Sequence, residues 1–170
     1  GVDAAPALEE AARAHLHVAQ DFGLLVNELE LLGACGRVES VPLLLEAARQ
    51  GRTTVVQTAA LDALGTLGDA AAVPELLEMA PLFAEDAPRS AVLITLGRLG
   101  TAPAVEYLET LVRDWLRGSG SPLGTTAWNG LLLIEGEELR PALLRLDPIL
   151  PNFQRTQAIA ARIELGETGL

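Results

Sequence analysis

The residues that could carry chemistry in this chain are few, and their spacing works against most of the reactions they suggest. His15 and His17 are the two histidines. Two residues apart on a helix, their rings point about 200° away from each other and cannot grip one metal ion together. The pattern therefore predicts one packed and one solvated imidazole. Cys35 is the single cysteine, so no further thiol or imidazole completes a zinc site. Its column otherwise holds Leu67, Leu99, Glu135 and Leu165, which makes it a small core residue rather than a nucleophile. Glu137 with Glu138, or Glu109 with Asp114, could be paired as acid and base. In a chain with 23 acidic residues, surface glutamates on helices are the plainer reading.

Nucleophilic and phosphate-binding arrangements fare no better. Ser40, Ser90, Ser119 and Ser121 fall at helix starts or in a loop, where serine caps and turns the chain. None lies in a strand-to-helix elbow with a histidine beside it, which argues against a Ser-His-Asp site. Gly118-Ser119-Gly120 has no strand before it and no lysine after it, so it reads as a linker rather than a phosphate cradle. The expectation is a protein without catalytic residues, metal or cofactor. Arg89, Arg98, Arg113, Arg117, Arg140 and Arg145 form a basic series in the C-terminal two-thirds. Arg–Glu pairs between neighbouring segments account for it, each worth little at a surface. Trp128 shares a column with Ala60 and Val92 and should fill core space; Trp115 should be half exposed.

What must position these residues is a repeat. The stretch from Ala59 to Leu77 reads as helix, tight turn, helix. Leu61, Leu64 and Leu67 keep to one helical side, and Gly68 can take the left-handed conformation that stops the first helix. Asp69 can cap the second helix, and Pro74 fits near its start. The stopping glycine recurs as Gly36, Gly68, Gly100, Gly136 and Gly166. Four residues before it come Leu32, Leu64, Leu96 and Leu132, and three before it Gly33, Gly65 and Gly97. Five after it come Val41, Val73 and Val105, and eight after it Leu44, Leu76, Leu108 and Leu144. Each unit is a helical hairpin that buries its apolar side only by stacking on its neighbours.

These columns predict one domain over residues 1–170. A capping helix over 4–19 precedes units over about 20–51, 52–85, 86–118 and 122–147 and a half-unit over 148–166. Pro81 should kink the second helix of unit two, expected over 71–84. The segment 118–121 should be the most mobile interior one. The fourth unit has a turn shorter by one, which leaves its register open. The last helix, over 149–165, should leave Ile159 and Ile163 only partly covered, giving either a continuation of the chain or self-association through that end.

Bulk composition narrows the function. The net charge is −11, with twelve arginines and no lysine, which argues against nucleic acid and favours a cationic partner. Apolar residues are 49% of the chain but aromatics only 4%, so the core must be Leu, Ala, Val and Ile. The apolar runs are too short to insert in a membrane, and a lone cysteine fits a reducing, cytoplasmic setting.

The residues Leu64-Gly65-Thr66-Leu67-Gly68-Asp69, three alanines, then Val73-Pro74-Glu75-Leu76-Leu77 resemble the short bacterial form of the HEAT repeat, as in phycobilisome-lyase-type proteins. The resemblance covers about residues 20 to 166. It implies an all-α fold, a right-handed α-solenoid of helical hairpins, whose second helices line a concave side that holds a protein partner. Carried onto this chain, the concave positions include Leu43, Glu46, Glu75, Glu78, Tyr107, Thr110 and Asp114. They would form an acidic strip with an aromatic handle, suited to a basic segment of a partner protein. The expected function is a non-catalytic interaction scaffold. The rivals are a lyase-type subunit acting on a bilin-bearing protein, a DNA-binding helical repeat, and a structural segment of a larger protein.

Overall fold

The second unit shows how local sequence sets the hairpin. The Thr53 side chain accepts a hydrogen bond from the Val56 amide and caps a helix over Thr54–Leu67. That helix ends at Gly68, with φ +78° and an amide that bonds back to the Leu64 carbonyl. A side chain there would strain the backbone; glycine does not. The Asp69 carboxylate then accepts from the Ala71 amide at 3.0 Å, the chain makes a short 3₁₀ turn over Ala70–Ala72, and Pro74 stands in the first turn of the next helix.

The computed structural model describes residues 4–18, 22–118 and 122–166. Among them are ten α-helices and no strand: α1 Ala5–His17, α2 Phe22–Cys35, α3 Val41–Gln50, α4 Thr54–Leu67, α5 Val73–Met79, α6 Asp86–Leu99, α7 Ala102–Leu116, α8 Gly124–Leu132, α9 Leu139–Leu146 and α10 Asn152–Glu164. Helices α2, α4, α6 and α8 pack side by side in succession. Helices α3, α5, α7 and α9 form a second layer, each against the one before it, with α1 at one end and α10 at the other. The fold is an all-α helical-repeat solenoid.

Small residues let the first layer close up. A Cβ at Gly130 would stand 2.8 Å from the Leu93 carbonyl oxygen, so α6 and α8 meet backbone to backbone. Between the layers, Leu32, Leu44, Leu61, Leu76, Leu96 and Leu108 are each fully buried, contributing about 1.5–3 kcal/mol apiece over exposure. Trp128 is 2% exposed, filling the core as its column predicts. Its indole Nε1 donates to Gln157 Oε1 at 2.8 Å, so the ring also ties α10 to α8. Trp115 is half-buried. Cys35 is half-buried rather than fully enclosed.

Three expectations are corrected. Helix α5 does not bend at Pro81; it stops at Met79, and the chain continues as a 3₁₀ turn over Ala80–Leu82. Proline lacks the amide that would extend the α-helical bonding, and its ring crowds the preceding turn. Gly136 is not left-handed: the positive-φ glycines are Gly36, Gly68, Gly100, Gly118 and Gly166. Helix α8 ends at Leu132 instead, and the chain turns inward so that Ile134 is 4% exposed. As a result Leu143, at 0% exposure, takes the core position of unit four, while Leu144 is 47% exposed. At the C-terminal end Phe153, Ile159 and Ile163 on α10 are 69%, 36% and 57% exposed. Of the segment 118–121, residues 119–121 lie outside the described residues, and so does the expectation about its mobility.

Candidate functional site

The second helices carry two kinds of column. Five, eight and twelve residues after the turn glycines of units one to three lie Val41, Val73 and Val105, then Leu44, Leu76 and Leu108, then Ala48, Ala80 and Val112, and all nine are buried. Between them, six and ten residues after the glycine, stand Pro42, Pro74 and Glu106, then Glu46, Glu78 and Thr110; of these only Glu46 is even half-buried. This is the helical period setting one face to the core and one to solvent. The outer face of α3, α5 and α7 is a surface that differs in side chain from unit to unit on a common backbone.

The expected partner-binding residues divide on this face. Glu75, Glu78, Thr110 and Asp114 are exposed. Leu43 is a correction: it is 2% exposed and part of the core. The cause is α1, which lies against α2 and α3. Ser40 Oγ donates to Glu9 Oε1 at 2.7 Å, and His17 Nε2 stands 3.6 Å from Glu46 Oε1. Leu43 lies one turn from both Ser40 and Glu46. Tyr107 is half-buried and packs against the core rather than standing free as a handle. Burial pushes its phenol pKa up, with the nearby Arg89 charge acting the other way. The open part of the strip is therefore Glu75, Glu78, Thr110 and Asp114. Glu75 also meets Arg49 of the preceding unit at 3.1 Å; both side chains are about half exposed, so the pair adds little stability.

The repeat columns single out a second feature, apart from the expected partner-binding residues. Glu109 sits nine residues after its glycine, where units one and two have Leu45 and Leu77. Its side chain is only 4% exposed. A carboxylate there is stable only when paired and hydrogen-bonded. Two guanidiniums do this. Arg145 of α9 donates through Nε to both Glu109 oxygens at 3.0 Å and through Nη2 to Oε2 at 2.6 Å. Arg113, one turn along α7, donates through Nη2 to Oε1. The Glu109 hydrogen bond holds Arg145 more firmly in its charged form. These groups border a groove of about 590 Å³ between α7 and α9, with Glu106, Glu138 and Pro141 on its rim.

The basic series is in part consumed in such pairs. Arg98 reaches Asp62 of the preceding unit at 3.4 Å, while Arg113 and Arg145 share Glu109. At the N-terminal end the two histidines split as expected. His15 Nδ1 is 2.8 and 3.0 Å from the oxygens of Glu28, which is 6% exposed, and His17 is the more solvated at 58% side-chain exposure. Among the described residues no group of three or more His, Cys, Asp and Glu side chains could hold a metal ion. Among them too, no helix is long and apolar enough to cross a membrane.

Residues 41–117, from α3 through α7, match the family model described as HEAT repeats. The comparison with curated proteins found no match. HEAT repeats commonly serve as protein-interaction scaffolds and are generally non-catalytic.

Proposed function

We propose that this chain is a non-catalytic scaffold that holds a protein partner against the outer face of its second helices, at Glu75, Glu78, Thr110 and Asp114. The observation that carries the reading is the column structure of that face. Backbone positions repeat from unit to unit, the inward columns five, eight and twelve residues after the turn glycine are apolar in units one to three, and the outward columns carry varied, largely solvated side chains. Such a surface adds nothing to the core and is free to be shaped for a partner. The exposed carboxylates on α5 favour a partner with a basic segment, which they would steer by long-range attraction. Glu46 lies beside α1 and forms the edge of the strip; Leu43 supports it from inside.

The test is comparative capture from an extract of the native host, with the parent protein and two variants as bait. The Glu75→Arg/Glu78→Arg variant reverses charge on the outer face of α5. Glu30→Arg makes a similar change on exposed α2, in the other layer. The expected result is a partner retained by the parent and by Glu30→Arg, lost with the double variant, and released by moderate salt. Equal retention by all three proteins would move the binding site off the second-helix face.

A further inference from the structure

We propose that the exposed face of α10 is a dimerisation seam that pairs antiparallel with α10 of a second copy of this chain. The two terminal helices of the stack differ on their outer faces. On α1 the exposed face carries Glu10, Arg13 and His17, the polar surface that keeps a solenoid end solvated. On α10 the residues Phe153, Thr156, Ala160 and Ile163 are exposed, spaced by three, four and three. That is the spacing of side chains that face a second helix. Phe153 is 69% and Ile163 57% exposed, with Ile159 beside them at 36%. No other described helix exposes more than two large apolar side chains. The charges of α10 lie off the seam. Arg155 donates to the Asp147 carbonyl at 3.0 Å, Arg162 is 9% exposed, and Glu164 stands at the C-terminal end. The inner face holds α10 to the body through Ala158, 1% exposed, and the Trp128–Gln157 hydrogen bond, so the seam is presented on an anchored helix.

The seam itself selects the occupant. Turned about a twofold axis midway between Thr156 and Ala160, two copies of α10 set Thr156 against Ala160 and Phe153 against Ile163 of the second copy. Small side chains then meet at the centre of the crossing, and large ones fill its ends. An interface between identical surfaces needs this self-complementarity. Charge points the same way. Each chain carries a net −11, so copies repel wherever their acidic surfaces meet, and an uncharged seam is where that cost is least. The seam also offers no charge by which to select a foreign protein, unlike the carboxylates of the second-helix face. The 13 residues of α10 make a helix about 20 Å long. Such a contact is small, so the pair is reversible and sits at the weak end of specific association. A dimer carries two copies of the second-helix strip, which lets a partner with two binding segments hold on more tightly.

The test is sedimentation equilibrium of the full chain, from micromolar to millimolar concentration at physiological salt. The expected result is a monomer–dimer equilibrium that stops at two copies. Phe153→Glu and Ile163→Arg should each weaken it about tenfold or more, with the urea midpoint of the monomer kept. Both positions are exposed, and each new charge suits the end of the helix dipole at which it stands. Val55→Glu, at an apolar side chain on α4 that is 61% exposed, should leave the equilibrium unchanged. Mixing Phe153→Glu with Ile163→Arg should restore the dimer. The antiparallel register sets the new carboxylate against the new guanidinium and leaves one Phe153–Ile163 contact intact, whereas a parallel pair gains nothing from mixing. A parent that stays monomeric, assembly beyond two copies, variants that pair like the parent, or no recovery on mixing would each overturn the proposal. So would a monomer whose seam captures another protein from a host extract, since the seam would then belong to that protein. None of these variants touches Glu75, Glu78, Thr110 or Asp114, so the scaffold reading stands or falls separately.

Discussion

Gly33 of α2 and Ala63 of α4 meet without a gap: a Cβ at Gly33 would stand 2.7 Å from the Ala63 carbonyl oxygen and 2.8 Å from its Cα. The next glycine of the same column, Gly65, meets a different neighbour. Its nearest atom would be Arg98 Cδ at 3.0 Å, part of a long, exposed side chain. One column of the repeat thus hides two different physical reasons for glycine.

The two sites should respond with opposite sign to alanine. Alanine gains about 1 kcal/mol of helix propensity over glycine. At Gly33 the clash is with backbone, which yields only by separating α2 from α4, and overpacking of this kind costs about 1–3 kcal/mol. Gly33→Ala should therefore lower the urea midpoint. Gly65→Ala should leave it equal or raise it, because Arg98 can swing aside at the loss of a weak surface pair. Similar shifts in the same direction for both variants would show that the column is set by propensity alone.

Trp128 should prove the main tether of α10. Trp128→Phe removes the indole donor to Gln157 and part of a buried ring, and is expected to destabilise the protein by about 1–3 kcal/mol. The specific signature is local: amide exchange should speed up more in α10 than in α2 or α4. Gln157→Ala should reproduce the α10 effect with a smaller global loss. If α10 exchanges alike in parent and variants, the hydrogen bond is not what holds it.

Tyr107 makes stability fall in alkali. Its phenol pKa is raised chiefly by burial, so through the window above the ordinary tyrosine pKa the native state keeps a proton that the unfolded state releases. The contribution is fully present below the unfolded-state pKa and is lost as pH rises through the folded-state pKa. Tyr107 is the only tyrosine, so tyrosinate absorbance follows it alone. The midpoint should lie higher in the native protein than in urea, and Tyr107→Phe should flatten the alkaline loss of stability. Coincident midpoints would show a solvated phenol, the free aromatic handle that the repeat spacing alone implies.

The repeat was legible in the sequence because its cause is local. A glycine that must take positive φ, a capping Asp69, a proline in the first helical turn and apolar residues at helical spacing act within a few positions of one another. Hence Gly36, Gly68, Gly100 and Gly166 all adopt the left-handed conformation, and the valine and leucine columns of units one to three are buried. Register failed first where no such constraint acted. Gly136 has the spacing but not the conformation, and Leu143 rather than Leu144 reaches the core. What only the tertiary structure decided is which outward positions stay open. Leu43 has the offset of an exposed residue, yet α1 lies beside it and closes it off; nothing within α3 records where α1 goes. Tyr107 likewise settles onto the core. Glu109 stood out in the sequence only as a possible acid–base partner of Asp114; its actual partners lie on two helices. Arg113 is one turn away, and Arg145 is brought across from α9 by the stacking of unit four on unit three, a contact between residues far apart in the chain that no local period encodes.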